Sequence, residues 1–162
     1  MKQIVIVAFA ILSFVYGLAA HYSFHRSRKD KEGLTVALVF GSFSIWALFT
    51  AASLGSVLHE EALMWRKLGA LGWGTMYSLM LQHVLQATGR GHLLKHRRTL
   101  FMIYLPAAVN LFLFLLYTPV ADAQFKLVQL DGMWLNIFTD TAENWYYTVY
   151  ILVFSAISLG IL

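Results

Sequence analysis

Six histidines and eight carboxylates are the side chains of this 162-residue chain best suited to chemistry, and there is no cysteine beside them. Without Cys there is no disulfide scaffold, thiolate metal site, iron–sulfur ligation or thiol nucleophile. His21 and His83 lie near the same end of two apolar runs. Imidazoles at matching depth on facing membrane helices could bind haem b from both sides, as in an electron-transfer subunit. The competing reading is that such histidines hydrogen-bond helices together or line a polar cavity. His25, His92 and His96 stand among basic residues and read as a solvated interfacial cluster. No run holds a lysine near its middle for a Schiff base or a midplane carboxylate for coupled ion transport, and no nucleotide-binding glycine motif or Gly-x-Ser-x-Gly occurs. The chain is expected to have no catalytic or metal-binding residues and no required cofactor.

A second group could recognise rather than react. Trp73, Trp134, Trp145, Tyr146 and Tyr150, with Tyr77, gather toward one end of the runs that hold them. Tryptophan and tyrosine ordinarily form the interfacial belt of a membrane protein. That explanation suits Trp65 and Trp145 but not Trp73, about two turns deep in its run. These six residues are therefore the candidate ligand pocket: aromatic, mostly apolar, with few polar groups. Gln82, His83 and Gln86, joined by Asn110, form a polar face expected to hydrogen-bond inside a bundle.

Composition identifies what must position these residues. Hydrophobic residues make up 59% and charged residues 12% of the chain, and the mean hydropathy is +0.66. Soluble domains are about 45–50% apolar and about 25% charged, so both a soluble domain and a disordered chain are excluded. Five apolar runs, at 4–21, 34–57, 62–87, 100–117 and 145–162, are each long enough to cross about 30 Å of hydrocarbon as a helix. Period-two alternation is missing from them, which excludes an outer-membrane barrel. The fold class expected is an all-α integral membrane protein: a five-helix transmembrane bundle forming one domain over 1–162. The first run imitates a cleaved signal peptide, but Arg26, Arg28, Lys29 and Lys31 come directly after it, which favours retention as a membrane helix.

Eight of the twelve basic residues sit in two connections: those four, and Arg90, Lys95, Arg97 and Arg98. The longest connection carries Asp122, Asp131, Asp140 and Glu143 against one Lys126. The positive-inside bias puts the two basic connections in the cytoplasm and the N-terminus outside, as in a multi-pass membrane protein. The net charge of +4 then meets anionic lipid, and no nucleic-acid partner is expected. Segment 153–162 carries no charge or interfacial anchor, which leads to the expectation that the chain is truncated and more protein lies beyond it.

Within the acidic connection, Asp131-Gly132 divides two β-prone stretches, the strongest short hairpin signal in a sequence. A two-residue turn would pair Leu130 with Met133 and Val128 with Leu135, and put Phe125, Leu127, Trp134 and Phe138 on one face of an extracellular β-hairpin cap. An interfacial amphipathic helix is the rival, which Gly132 weakens. Run two carries small residues at helical spacing: Ala37, Gly41, Ser44, Ala47, Ala51 and Gly55. Such a stripe makes a helix–helix seam, within one chain or between two copies of a homodimer. Gly69, Gly72 and Gly74 would admit a close neighbour, and Pro106 would bend run four.

Several of these features occur together in one family. Ser44-Ile45-Trp46-Ala47-Leu48-Phe49 lies in the second helix, Trp65-Arg66-Lys67-Leu68-Gly69 opens the third, and Thr88-Gly89-Arg90 closes it. A proline-containing fourth helix, an outer loop and an aromatic start to the fifth come next. The chain resembles, over nearly all of 1–162, the N-terminal seven-transmembrane sensor region of bacterial histidine kinases, also found on some diguanylate cyclases. The resemblance implies a non-enzymatic input domain that perceives a small-molecule or peptide signal and relays it to a cytoplasmic output domain absent from this chain. His59-Glu60 lacks the Leu-Arg-Thr-Pro that completes a phosphoacceptor box. Besides haem-dependent electron transfer, a small structural or regulatory membrane protein remains a third alternative.

Overall fold

The structure, a computed structural model, describes residues 2–26, 31–117, 125–137 and 139–162. Among these are five α-helices and one two-stranded sheet. Helix α1 spans Lys2–Arg26, α2 Lys31–Gly55, α3 His59–Ala87, α4 Arg97–Leu111 and α5 Ala142–Ile161. A 3-10 segment, Gly91–Lys95, precedes α4, and a π-helical turn, Phe112–Leu116, extends it. Most helices run a few residues past their apolar stretches. The stretch marks what lipid requires, while the backbone ladder continues until a cap or a turn residue stops it. At the end of α3, Gly89 has φ +74° and gives its N–H to the Gln86 carbonyl, a left-handed C-cap suited to glycine.

Helices α1, α2, α5 and α4 with its π turn are long and apolar enough to cross a membrane. Helix α3 has the length, at 29 residues, but does not reach that apolarity. It is the central helix, in contact with α2, α4, α5 and strand β1 (Lys126–Leu130), whereas α1 packs on α2. A helix lined by neighbours can carry Thr75, Ser78 and Gln82, because their partners come from protein.

Two contacts fix how α2 sits. A Cβ added at Gly72 would stand 2.5 Å from the Ser42 carbonyl oxygen and 2.6 Å from the Trp46 backbone nitrogen. The two backbones touch there, and only glycine fits. Gly69 and Gly74 would meet nothing nearer than 3.7 and 3.5 Å. On the other side of α2, Ser13 Oγ donates to the Ser44 carbonyl at 3.0 Å and Ser44 Oγ to the Ser13 carbonyl at 2.8 Å, a reciprocal clasp on α1. The small-residue stripe thus divides between two partners of the same chain. Ala37, Ala47 and Ala51 are buried, Ser44 faces α1, and Gly41 has open space where a Cβ would go.

The hairpin has the register expected from its turn. Leu130 pairs with Met133 and Val128 with Leu135, between β1 and β2 (Met133–Ile137). Asp131 and Gly132 both have positive φ, 50° and 76°, as a type I′ turn requires. Phe125 and Leu127 of the expected inner face are buried, and Trp134 is half-buried. Met133, of the opposite face, is buried too. Phe138 lies outside the described residues. Lys2 Nζ donates to the Gly132 carbonyl at 2.6 Å, and the His59 ring lies 5.2 Å from Trp134. The N-terminus, the α2–α3 connection and the hairpin therefore share one end of the bundle.

Replacing Gly72 with Ala should force α2 and α3 apart and cost about 1–3 kcal/mol, as overpacking does. Gly69→Ala should be neutral or slightly stabilising, because helical glycine costs roughly 0.5–1 kcal/mol against alanine. Thermal unfolding of the purified variants in detergent separates the two outcomes.

Candidate functional site

The core of the bundle is a column of aromatic rings along α3 and α5. Trp73 of α3 meets Tyr147 of α5 at 4.5 Å between ring centroids, Phe114 of the π turn at 5.0 Å and Phe125 at 6.4 Å, all close to edge-on. Phe114 is 1% exposed. Each such pair adds about 0.5–1.5 kcal/mol beyond the area it buries. The π turn takes part in placing Phe114: Tyr117 N–H bonds the Phe112 carbonyl at 2.7 Å, five residues back. The wider turn inserts one residue and rotates the side chains beyond it.

A second layer begins at Tyr150. Its ring contacts Tyr77 at 5.9 Å and Phe154 at 4.7 Å, and it packs with Leu81, Leu85 and Ile103. Its hydroxyl sits against the α3 backbone. The Ser78 N–H donates to it at 3.0 Å, and the Gly74 carbonyl lies 3.4 Å away. Those two backbone groups are each other's partners in an uninterrupted helix, so the phenol stands at a rung of the α3 ladder. Ser78 Oγ, 2.9 Å from the same hydroxyl, donates to the Ile103 carbonyl at 2.6 Å. Three helices meet in this one polar knot, buried in apolar packing.

Proline has no N–H, so at Pro106 the ladder of α4 lacks the bond to the Met102 carbonyl. Two carbonyls of α4 around Pro106 accept hydroxyls from neighbouring helices: Ser78 Oγ donates to Ile103 and Tyr146 Oη, at 3.2 Å, to Pro106 itself. One turn further on, Asn110 is fully buried and neither amide atom has a protein partner.

The six aromatic candidates do not form one pocket. Trp73, Tyr77 and Tyr150 line the α3–α5 column. Trp134 packs on His59 and buries its indole N–H without a partner. Trp145 is 51% exposed and donates to Asp140 at 2.5 Å, while Tyr146 turns to α4. Tyr147, Phe114 and Ser78, absent from the sequence-derived set, hold the centre. Of the two histidines of the haem alternative, His21 is exposed and lies edge-on to His25 at 4.3 Å, and His83 has a buried unpartnered Nδ1; α2 packs against both of their helices.

The polar face at the basic end is organised differently. Gln82 Nε2 donates to Thr35 Oγ1 at 3.0 Å, and Tyr104 Oη donates to Gln82 Oε1. Beside them opens a cavity of about 620 Å³ between the start of α2, the end of α3 and the 3-10 segment. Two smaller spaces, of about 380 and 260 Å³, border Lys67 and Tyr77.

Long apolar helices around a polar-cored α3 define a multi-pass membrane protein, and the described residues hold no group of three or more His, Cys, Asp or Glu that could bind a metal. The family profile described as the N-terminal 7TM region of histidine kinase matches residues 5–162, and the chain belongs to that family. It is thus a sensor region, not a catalytic domain. No curated protein and no solved structure matches it.

Trp73→Ala should destabilise the protein by about 3 kcal/mol, since it empties the space among Phe114, Phe125 and Tyr147. Trp145→Ala, at an exposed position, should stay within roughly 0.5 kcal/mol. Tyr150→Phe and Ser78→Ala should each cost about 1–2 kcal/mol. Their double mutant should cost less than the sum by at least about 0.5 kcal/mol, because one network is lost once. Chemical unfolding in detergent micelles gives all five values.

Proposed function

We propose that the chain is the membrane input domain of a signalling protein, crossing a bacterial inner membrane five times with its N-terminus and hairpin outside. It passes an external or membrane-borne signal to a cytoplasmic output domain. The observation that carries the relay is the Tyr150 hydroxyl at the Ser78–Gly74 rung. A signal that displaces the hairpin moves Phe125, which bears on Trp73 and Phe114, and through Tyr147 on Tyr150. The knot favours one rotation of α5 against α3, so a signal binding another rotation better would shift the population between them. The signal, a small molecule or peptide, would be read by the cap over Trp73, Tyr77 and Tyr150, with Trp134, Trp145 and Tyr146 at its rim. No resident cofactor is assigned, and the bilayer is the constant partner.

Sidedness is supported by charge. Lys2, His59 and the Asp131-Gly132 turn share one end, while Arg26, Arg90, Lys95, Arg97 and Arg98 belong to the connections at the other. With no native cysteine, Asp131→Cys should react with an impermeant thiol reagent in intact cells and Arg97→Cys only after lysis. The reverse pattern overturns the orientation. Joined to a histidine-kinase output domain, Tyr150→Phe should change basal autophosphorylation at least several-fold. Val149→Leu, on the exposed side of the same helix, should leave it unchanged. Equal output from both refutes the relay.

A further inference from the structure

The largest described cavity lies at the basic end, away from the hairpin and from the six aromatic candidates. Its walls are of two kinds. Leu34, Leu38, Leu94 and Leu100 make an apolar side, continuous with the lipid-facing surface through Leu38, which is 49% exposed. Thr35, Gln82 and Gln86 make a polar side. Glu32 and Lys95 border it with opposite charges.

The polar side is partly built and partly unsatisfied. Gln82 is held at both ends, by Thr35 and by Tyr104, and Thr35 is 2% exposed. Gln86 lies one helical turn beyond Gln82, and its Oε1 is buried with no hydrogen-bond partner. A buried amide oxygen left unpaired carries its full desolvation penalty. At about 620 Å³ the cavity falls within the range of small-molecule sites, which are mostly apolar with a few placed polar groups.

We propose that this cavity binds an uncharged, single-chain amphiphile through a hydroxyl head group. The hydroxyl bonds the side-chain amide of Gln86, and the chain lies along Leu34, Leu38, Leu94 and Leu100. A hydroxyl suits the site because it both donates and accepts, so it also meets the neighbouring Gln82–Thr35 pair. The lining carries one charge of each sign, Glu32 and Lys95, and so singles out neither an anionic nor a cationic head group. The site is separate from the signal-reading cap proposed above, and binding to it is measured without any signalling output.

The experiment uses the full chain in phosphatidylcholine nanodiscs, with a diazirine analogue of 1-monododecanoylglycerol as photoprobe and adducts mapped by mass spectrometry. Adducts are expected on the peptides holding Leu34–Leu38 and Gly91–Leu100. Unlabelled monododecanoylglycerol should compete, and dodecane, dodecanoate and phosphatidylglycerol should require at least tenfold more. Leu38→Trp, which fills the apolar side from its exposed edge, should abolish labelling. Gln86→Met, close in shape but without the amide, should weaken capture at least fivefold, and Tyr150→Phe should leave it unchanged. Adducts spread evenly over the lipid faces of α1 and α5, or labelling indifferent to Leu38→Trp, would overturn the site. Equal competition by dodecane, or full capture by Gln86→Met, would overturn the hydroxyl assignment. Preferential competition by phosphatidylglycerol or dodecanoate would overturn the uncharged head.

Discussion

The serine and glutamine that α3 carries into an apolar medium find their partners on other helices, and the rest of the architecture depends on that. In lipid no water waits to take an unmet N–H or hydroxyl. Ser78 is met by Tyr150 and by the Ile103 carbonyl, Gln82 by Thr35 and Tyr104. These bonds specify which neighbour lies on which side of α3. Apolar packing alone would not, since lipid tails are as apolar as leucine. Gly72 then sets how near α2 can come, and the Ser13–Ser44 clasp fixes α1 outside it.

Irregular backbone is placed where this scheme needs it. Around Pro106, two carbonyls of α4 meet the hydroxyls of Ser78 and Tyr146. The π turn comes within two turns and brings Phe114 onto Trp73.

The hairpin was legible down to its pairing because its signals are local: Asp-Gly accepts positive φ, and period-two alternation fixes which residues face inward. The helices were legible because lipid sets their length and composition. Their rotations were not. Trp145, Tyr146 and Tyr147 are adjacent in sequence, yet they point to solvent or lipid, to α4 and to the core, respectively. The sequence-derived pocket took the first two and missed the third. Period 3.6 could have separated them, since Tyr147, Tyr150 and Phe154 fall on one face, three and four residues apart. The Ser13–Ser44 clasp gave no advance signal, because a pair of serines is specified only once two helices are docked. Gly41 shows the converse: a small residue in the right stripe faces open space.

The bond from Lys2 to the Gly132 carbonyl joins the first helical residue to the tip of the hairpin, 130 positions away. In a chain that enters the membrane from its N-terminus, that bond is among the last to form. It closes the fold into a ring whose two ends are an ammonium group and a β-turn. Helix α1, packed along α2, is thereby tied to the cap as well, and the first and the last-formed outer elements of the bundle share one polar contact.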